Sequence, residues 1–129
     1  MAQKSVVLTD RAPAPFAGAP YSQAIRVGDL VFVSGQIPLK PGSPDLLGTT
    51  IREQTEQVFA NLKAILEAAG SGLDRLVKTT VFLANLKDFA EMNEVYRRYA
   101  GAAPPARSTV QVAALPAGAL IEIDAVAHL

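Results

Sequence analysis

The sequence predicts an α+β fold in which a mixed six-stranded sheet carries two helices on one face. Three observations lead there. The strand-like segments are short and β-branched, and three of them precede the first helical period, giving the order β-β-β-α-β-α-β-β. Two segments place apolar residues at helical spacing behind a capping residue. The chain has 129 residues and is 50% hydrophobic, which suits one sizeable core, so a single domain over residues 1–129 is expected.

Residues 5–9 read as an edge strand. Residues 23–27 and 30–34 flank Gly28-Asp29, a two-residue hairpin signal. Proline and glycine mark residues 12–20 and 38–48 as loops. The first helix spans 51–69. Thr50 and Glu53 form a capping box, in which the hydroxyl accepts an orphan amide proton and the glutamate reaches back. Ile51, Val58, Leu62, Ile65 and Leu66 make its apolar stripe, and Gly70 can end it in the left-handed conformation. A strand at 76–84 follows. Asn85 caps a second helix over 86–99, with Phe89, Met92, Tyr96 and Tyr99 facing the core and Gly101 as the stop. Strands at 108–113 and 120–127 close the order. Helices on one face leave apolar residues on the other, so a closed homo-oligomer, dimer or trimer, is expected to cover it.

Composition removes several function classes. Lys+Arg and Asp+Glu both count 12, and the densest basic spot is Arg97-Arg98, so no basic stripe for nucleic acid is visible. No apolar run approaches the ~20 residues of a membrane span, and the N-terminal residues lack signal-peptide order; a cytoplasmic protein is expected. Without cysteine there is neither a disulfide framework nor thiol catalysis. Ser34 does not sit in a Gly-x-Ser-x-Gly elbow, and His128 is the only histidine, which argues against a Ser-His-acid triad and against zinc. No phosphate-binding glycine loop is present.

The last two strands remain. At period two, Arg107, Thr109 and Gln111 share one face, and Glu122 and Asp124 share a face with Leu120 and Val126. One reading is an outer sheet face with a salt bridge. The other is a site: Pro104-Pro105-Ala106 stiffens the approach to Arg107, whose planar fork matches a carboxylate, and a nearby acid could orient water.

Several segments carry a resemblance that runs from about residue 12 to the end. They are Ala19-Pro20-Tyr21-Ser22-Gln23-Ala24, Val33-Ser34-Gly35-Gln36-Ile37-Pro38, the stretch from Asn61 to Gly70, and Val77-Lys78-Thr79-Thr80-Val81-Phe82. Asp88-Phe89 with Asn93 and Tyr96, Pro105-Ala106-Arg107-Ser108, Val112-Ala113-Ala114-Leu115-Pro116 and Ile121-Glu122-Ile123 complete the set. On these the chain resembles the RidA (YjgF) family of reactive-intermediate deaminases. The resemblance implies a chorismate-mutase-like α+β fold and a homotrimer whose sheets form a central barrel, with sites in clefts between subunits and no cofactor. It implies hydrolysis of 2-imino acids, tautomers of 2-aminoacrylate or 2-aminocrotonate, to 2-oxo acids and ammonia. By the same resemblance Arg107 clamps the substrate carboxylate, Glu122 positions water and Tyr21 lines the cleft. Ser34 and Gly35 border the ligand, and Asn93 stands near the pocket. Thr109 lies where many members have cysteine, and its hydroxyl can still bond substrate or water. The segment Phe16-Ala17-Gly18-Ala19-Pro20 is longer than the family's usual approach to the tyrosine and is expected to reshape the rim. Two rival functions stay open: a regulatory module that binds small carboxylates without turnover, and an endoribonuclease or translation inhibitor, a label some members carry.

Overall fold

The computed structural model describes residues 3–129. Its elements are β1 (Ser5–Val7), β2 (Ala24–Val27), β3 (Leu30–Gln36), α1 (Ile51–Ala68), β4 (Leu76–Leu83), α2 (Phe89–Ala100), β5 (Ala106–Gln111) and β6 (Ile121–His128). The order is the predicted one. The sheet runs β1-β2-β3-β6-β4-β5. β6 is antiparallel to both its neighbours, and β4 and β5 pair in parallel, joined through α2.

Local chemistry explains most boundaries. Thr50 and Glu53 make the capping box at the start of α1, and every residue of the predicted stripe is buried there. Gly70 takes φ 85, and the Ser71 N–H bonds back to the Leu66 carbonyl at 2.8 Å. Only the first residue of the Gly28-Asp29 turn has positive φ, the pattern of a II′ hairpin. The second helix begins later than predicted. Asn85 does accept from the Lys87 N–H at 2.9 Å, but it caps a single 3-10 turn, Leu86–Asp88, and α2 starts at Phe89. β1 is shorter than expected because Thr9 leaves the ladder for a side chain: its N–H bonds Gln23 Oε1 at 2.8 Å.

The helix-facing side of the sheet is the core. Val31, Val81, Ile121, Ile123 and Ala127 meet Val58, Leu62, Ile65 and Leu66 of α1 and Met92 of α2 in one buried cluster. The Phe59 ring stacks on Tyr99 at 4.6 Å and meets Tyr96 edge-on at 5.4 Å, which locks α1 to α2. Alternation sends Ile25, Phe32, Val126, Phe82 and Val110 to the opposite face, where Phe32 and Val110 remain exposed.

Candidate functional site

The sequence-predicted residues fall into two groups on opposite faces of the sheet. The first is built on β3 and β6. Val33 pairs with Ala125 and Gln36 with Ile123, so Ser34 and Gly35 together stand opposite one β6 residue, a β-bulge. The bulge brings the Gly35 backbone against Glu122. A Cβ at position 35 would lie 2.5 Å from Glu122 Oε2, so only glycine leaves room for the carboxylate. Glu122 pairs with Phe82, and Asp124 follows two residues on along the same face. Burial, and next the Asp124 charge, push the Glu122 carboxyl above the usual carboxylate range. Ser34 donates its hydroxyl to the Ser22 carbonyl at 2.6 Å, which ties the bulge to the segment bearing Tyr21. Tyr21 is half exposed, and its phenol oxygen accepts the Phe16 N–H at 2.5 Å. Tyr21, Ser34 and Phe32 border one hollow of about 450 Å³.

Buried amides hold this frame. Gln23 donates to the carbonyls of Thr9, Ala12 and Pro13, which fastens the N-terminal loop beneath Tyr21. Asn61 on α1 donates to the carbonyls of Ile37 and Leu39, just past the bulge. Gln54 donates to the Gly48 carbonyl and accepts the Leu120 N–H at 2.8 Å, two residues before Glu122. Each amide meets backbone groups that would otherwise be buried without partners. Sequence reasoning passed over Gln54 and used Gln23 and Asn61 only as parts of longer motifs; a buried amide leaves no periodic signal.

The second group is built on β5 and α2. Arg107 pairs with Thr79, whose buried hydroxyl is 2.7 Å from the Tyr96 phenol oxygen, so Arg107 lies on the helix-covered face. Its guanidinium sits 4.7 Å from the Tyr96 ring centroid and 5.5 Å from that of Phe89. A cleft of about 360 Å³ opens beside it, lined by Asn93, Tyr96, Arg97, Pro104, Pro105 and others. Two buried side-chain oxygens near this cleft have no partner among the described residues: Asn93 Oδ1 on α2, and Thr109 Oγ1 two residues along β5. The aromatic seat of Arg107 was missed in the sequence, where Phe89 and Tyr96 served as core stripe and as parts of the family resemblance.

The salt-bridge reading of the two strands is overturned. Arg107 makes no ion pair among the described residues. β4 lies between β5 and β6, and the Arg107–Thr79 and Glu122–Phe82 registers differ by three residues. The two backbones are therefore roughly 14 Å apart, with side chains on opposite faces. Three of the four ion pairs among the described residues link the helices, Arg52 with Glu91 and Glu94 and Arg98 with Glu56, which also takes the Tyr99 hydroxyl; the fourth, Arg11 with Glu67, ties the N-terminal segment to α1. Among the described residues no helix is long and apolar enough to cross a membrane.

Comparison with known proteins follows this geometry along almost the whole chain. Residues 11–129 match the family described as Endoribonuclease L-PSP. A RutC family protein of Pyrococcus abyssi is 50% identical over 97% of both chains. The chloroplastic Reactive Intermediate Deaminase A of Arabidopsis thaliana is 49% identical over 98% of this chain and 67% of its own length. The 2-iminobutanoate/2-iminopropanoate deaminase of Mus musculus is 44% identical over 96% of this chain and 90% of its own. The crystal structure of RidA from the Antarctic bacterium Psychrobacter superposes with a TM-score of 0.91 at 45% identity, covering 97% of this chain and 99% of that one. Matched along almost its whole length in both sequence and fold, the chain belongs to the RidA family.

Proposed function

We propose that this protein hydrolyses small 2-imino acids, with 2-iminobutyrate and 2-iminopropionate as the natural candidates, to the 2-oxo acid and ammonia. The observation that carries the reading is Arg107: a guanidinium without a carboxylate partner among the described residues, seated on two aromatic rings beside an open cleft. Such a fork accepts a carboxylate bidentately, and the aromatic faces fix its plane. The names of the mouse and Arabidopsis relatives point to the same chemistry.

One substrate of a few ångströms cannot touch Arg107 and Glu122 of a single chain. The reading therefore takes the site as composite, the β5–α2 cleft of one copy meeting the bulge and Glu122 of the next. A cyclic trimer, as the family resemblance implies, supplies that arrangement and covers the apolar face carrying Phe32 and Val110.

Arg107 holds the substrate carboxylate. Glu122, its carboxyl raised by burial and by Asp124, accepts a proton from a water as the water oxygen bonds to the imine carbon. The C=N π electrons move to nitrogen, which takes the water-derived proton back from Glu122 and gives a carbinolamine. In the collapse Glu122 takes the hydroxyl proton and passes it to the amine nitrogen, the C–N bond breaks, a C=O bond re-forms and ammonia leaves. One water is consumed and no electrons are exchanged with any partner. The imine carbon is already electrophilic, so positioning and proton transfer suffice. Tyr21, Ser34 and Gly35 wall the site, and Asn93 and Thr109 offer oxygens to the substrate or to water.

The test generates 2-iminobutyrate in situ with an amino-acid oxidase and follows imine loss and ammonia release. Arg107→Ala should lower kcat/KM by at least about 100-fold, the loss of ~3 kcal/mol from one charge-assisted clamp, while the protein stays folded. Undiminished turnover by that variant refutes the reading. The ribonuclease label in the family description marks the alternative, and RNA cleavage that survives Arg107→Ala and repurification would favour it.

A further inference from the structure

The cleft beside Arg107 contains a second guanidinium. Arg97 lines it together with Arg107, and the lining includes no carboxylate. The helical repeat explains the placement: Asn93, Tyr96, Arg97 and Ala100 fall on adjoining positions of one α2 face, and that face borders the cleft. Pro104 and Pro105 form the facing wall and hold the approach to β5 stiff.

Arg97 also stands outside the ion pairs among the described residues, although its charge still acts on Glu94. Its neighbour Arg98 is paired with Glu56, and Arg52 takes both Glu91, at 3.3 Å, and Glu94, at 2.5 Å. Glu94 is the acid one turn before Arg97 and the natural i,i+3 partner, but it is bonded by Arg52 from across the helix pair. Arg97 itself makes no ion pair among the described residues. The cleft thus offers two guanidinium groups outside any ion pair among the described residues, one more than a monocarboxylate engages.

We infer that Arg97 is a specificity-determining residue that recognises a second, distal carboxylate, so that this site favours 2-imino and 2-oxo acids carrying two carboxylates. The inference rests on the placement of the α-carboxylate at Arg107 argued above and names the substrate class for that same cleft. The α-carboxylate stays on the aromatic-seated Arg107, and the chain beyond the imine carbon runs toward α2. There the distal carboxylate meets the more exposed Arg97 near Asn93. The paired positive charges also draw dianions into the cleft, an attraction that weakens as salt screens it.

The experiment is calorimetric titration of the assembled protein with 2-oxoglutarate and with 2-oxobutyrate, stable ligands of the product class. Wild type should bind the dicarboxylate about tenfold more tightly, the gain expected from one added charge-assisted contact. In Arg97→Gln the ratio of the two affinities should fall to about one, and Arg97→Lys should keep part of the preference as a point charge without the fork. Arg107→Ala should weaken both ligands. Equal affinity in wild type, or a preference that persists in Arg97→Gln, overturns the inference. Turnover of 2-iminobutyrate alongside equal affinities would leave the deaminase reading standing alone. A preference lost in Arg97→Gln, in a protein that turns over no imine, would do the reverse.

Discussion

Gly35→Ala separates positioning of the Glu122 carboxylate from folding more cleanly than any change to Glu122 itself. The added methyl would stand 2.5 Å from Glu122 Oε2, 2.8 Å from its Cδ and 3.2 Å from its Cγ. The obstacle is the end of a flexible side chain, so the side chain yields and the strand does not. Reaching ordinary contact distance displaces the carboxylate by about 1 Å. A misplacement of that size costs about 100-fold in rate, or ~2.7 kcal/mol in the barrier. Position 35 does not have positive φ, so alanine fits its backbone, and the lost freedom of the unfolded chain offsets the contact cost to within ~1 kcal/mol. The assay pairs kcat/KM on 2-iminobutyrate with thermal unfolding. Gly35→Ala should unfold within a few degrees of wild type and lose about two orders of magnitude in kcat/KM. Wild-type kinetics in Gly35→Ala would refute the claim that the bulge exists to aim Glu122.

Two further expectations concern the same carboxyl. Asp124 contributes to the elevation of Glu122, so Asp124→Asn should move the acid limb of the kcat/KM profile to lower pH; an unmoved limb would assign the elevation to burial alone. Because the folded state holds the Glu122 proton more tightly than the unfolded chain does, stability from this group falls as pH rises from the usual carboxylate range through the elevated value. Glu122→Gln should therefore raise Tm at neutral pH but not in acid, while abolishing turnover. A Tm that drops at neutral pH would show the carboxylate to be a stabilising partner instead.

The elements most legible in the sequence are those fixed by neighbours along the chain. Thr50 and Glu53 meet within one turn of α1, and Gly28 needs only its own backbone freedom, so both could be read directly. β3 ran past its predicted end because Gly35 and Gln36 have no strand propensity of their own; β6 recruits them across the bulge. β5 begins earlier and ends earlier than expected, since β4, and not the local β-branched residues, sets its register. The same limit governs the candidate site. Alternation correctly grouped Arg107 with Thr109, and Glu122 with Asp124. Which face each pair occupies depends on Thr79 and Phe82, their neighbours on β4, and no pattern within β5 or β6 encodes that. The aromatic bed of Arg107 likewise arises from α2 packing over β5.

The sheet itself stands between Arg107 and Glu122, so the proposed chemistry requires neighbours in an assembly. A chain without the arginine and a chain without the glutamate would each be inert alone. Mixed in equal amounts into one cyclic ring, about a quarter of the junctions would join an intact arginine to an intact glutamate, and those junctions would work. Genetically, two different null alleles of this gene would complement one another within a single cell. A chain defective in both would instead silence the two junctions it touches, poisoning otherwise sound neighbours.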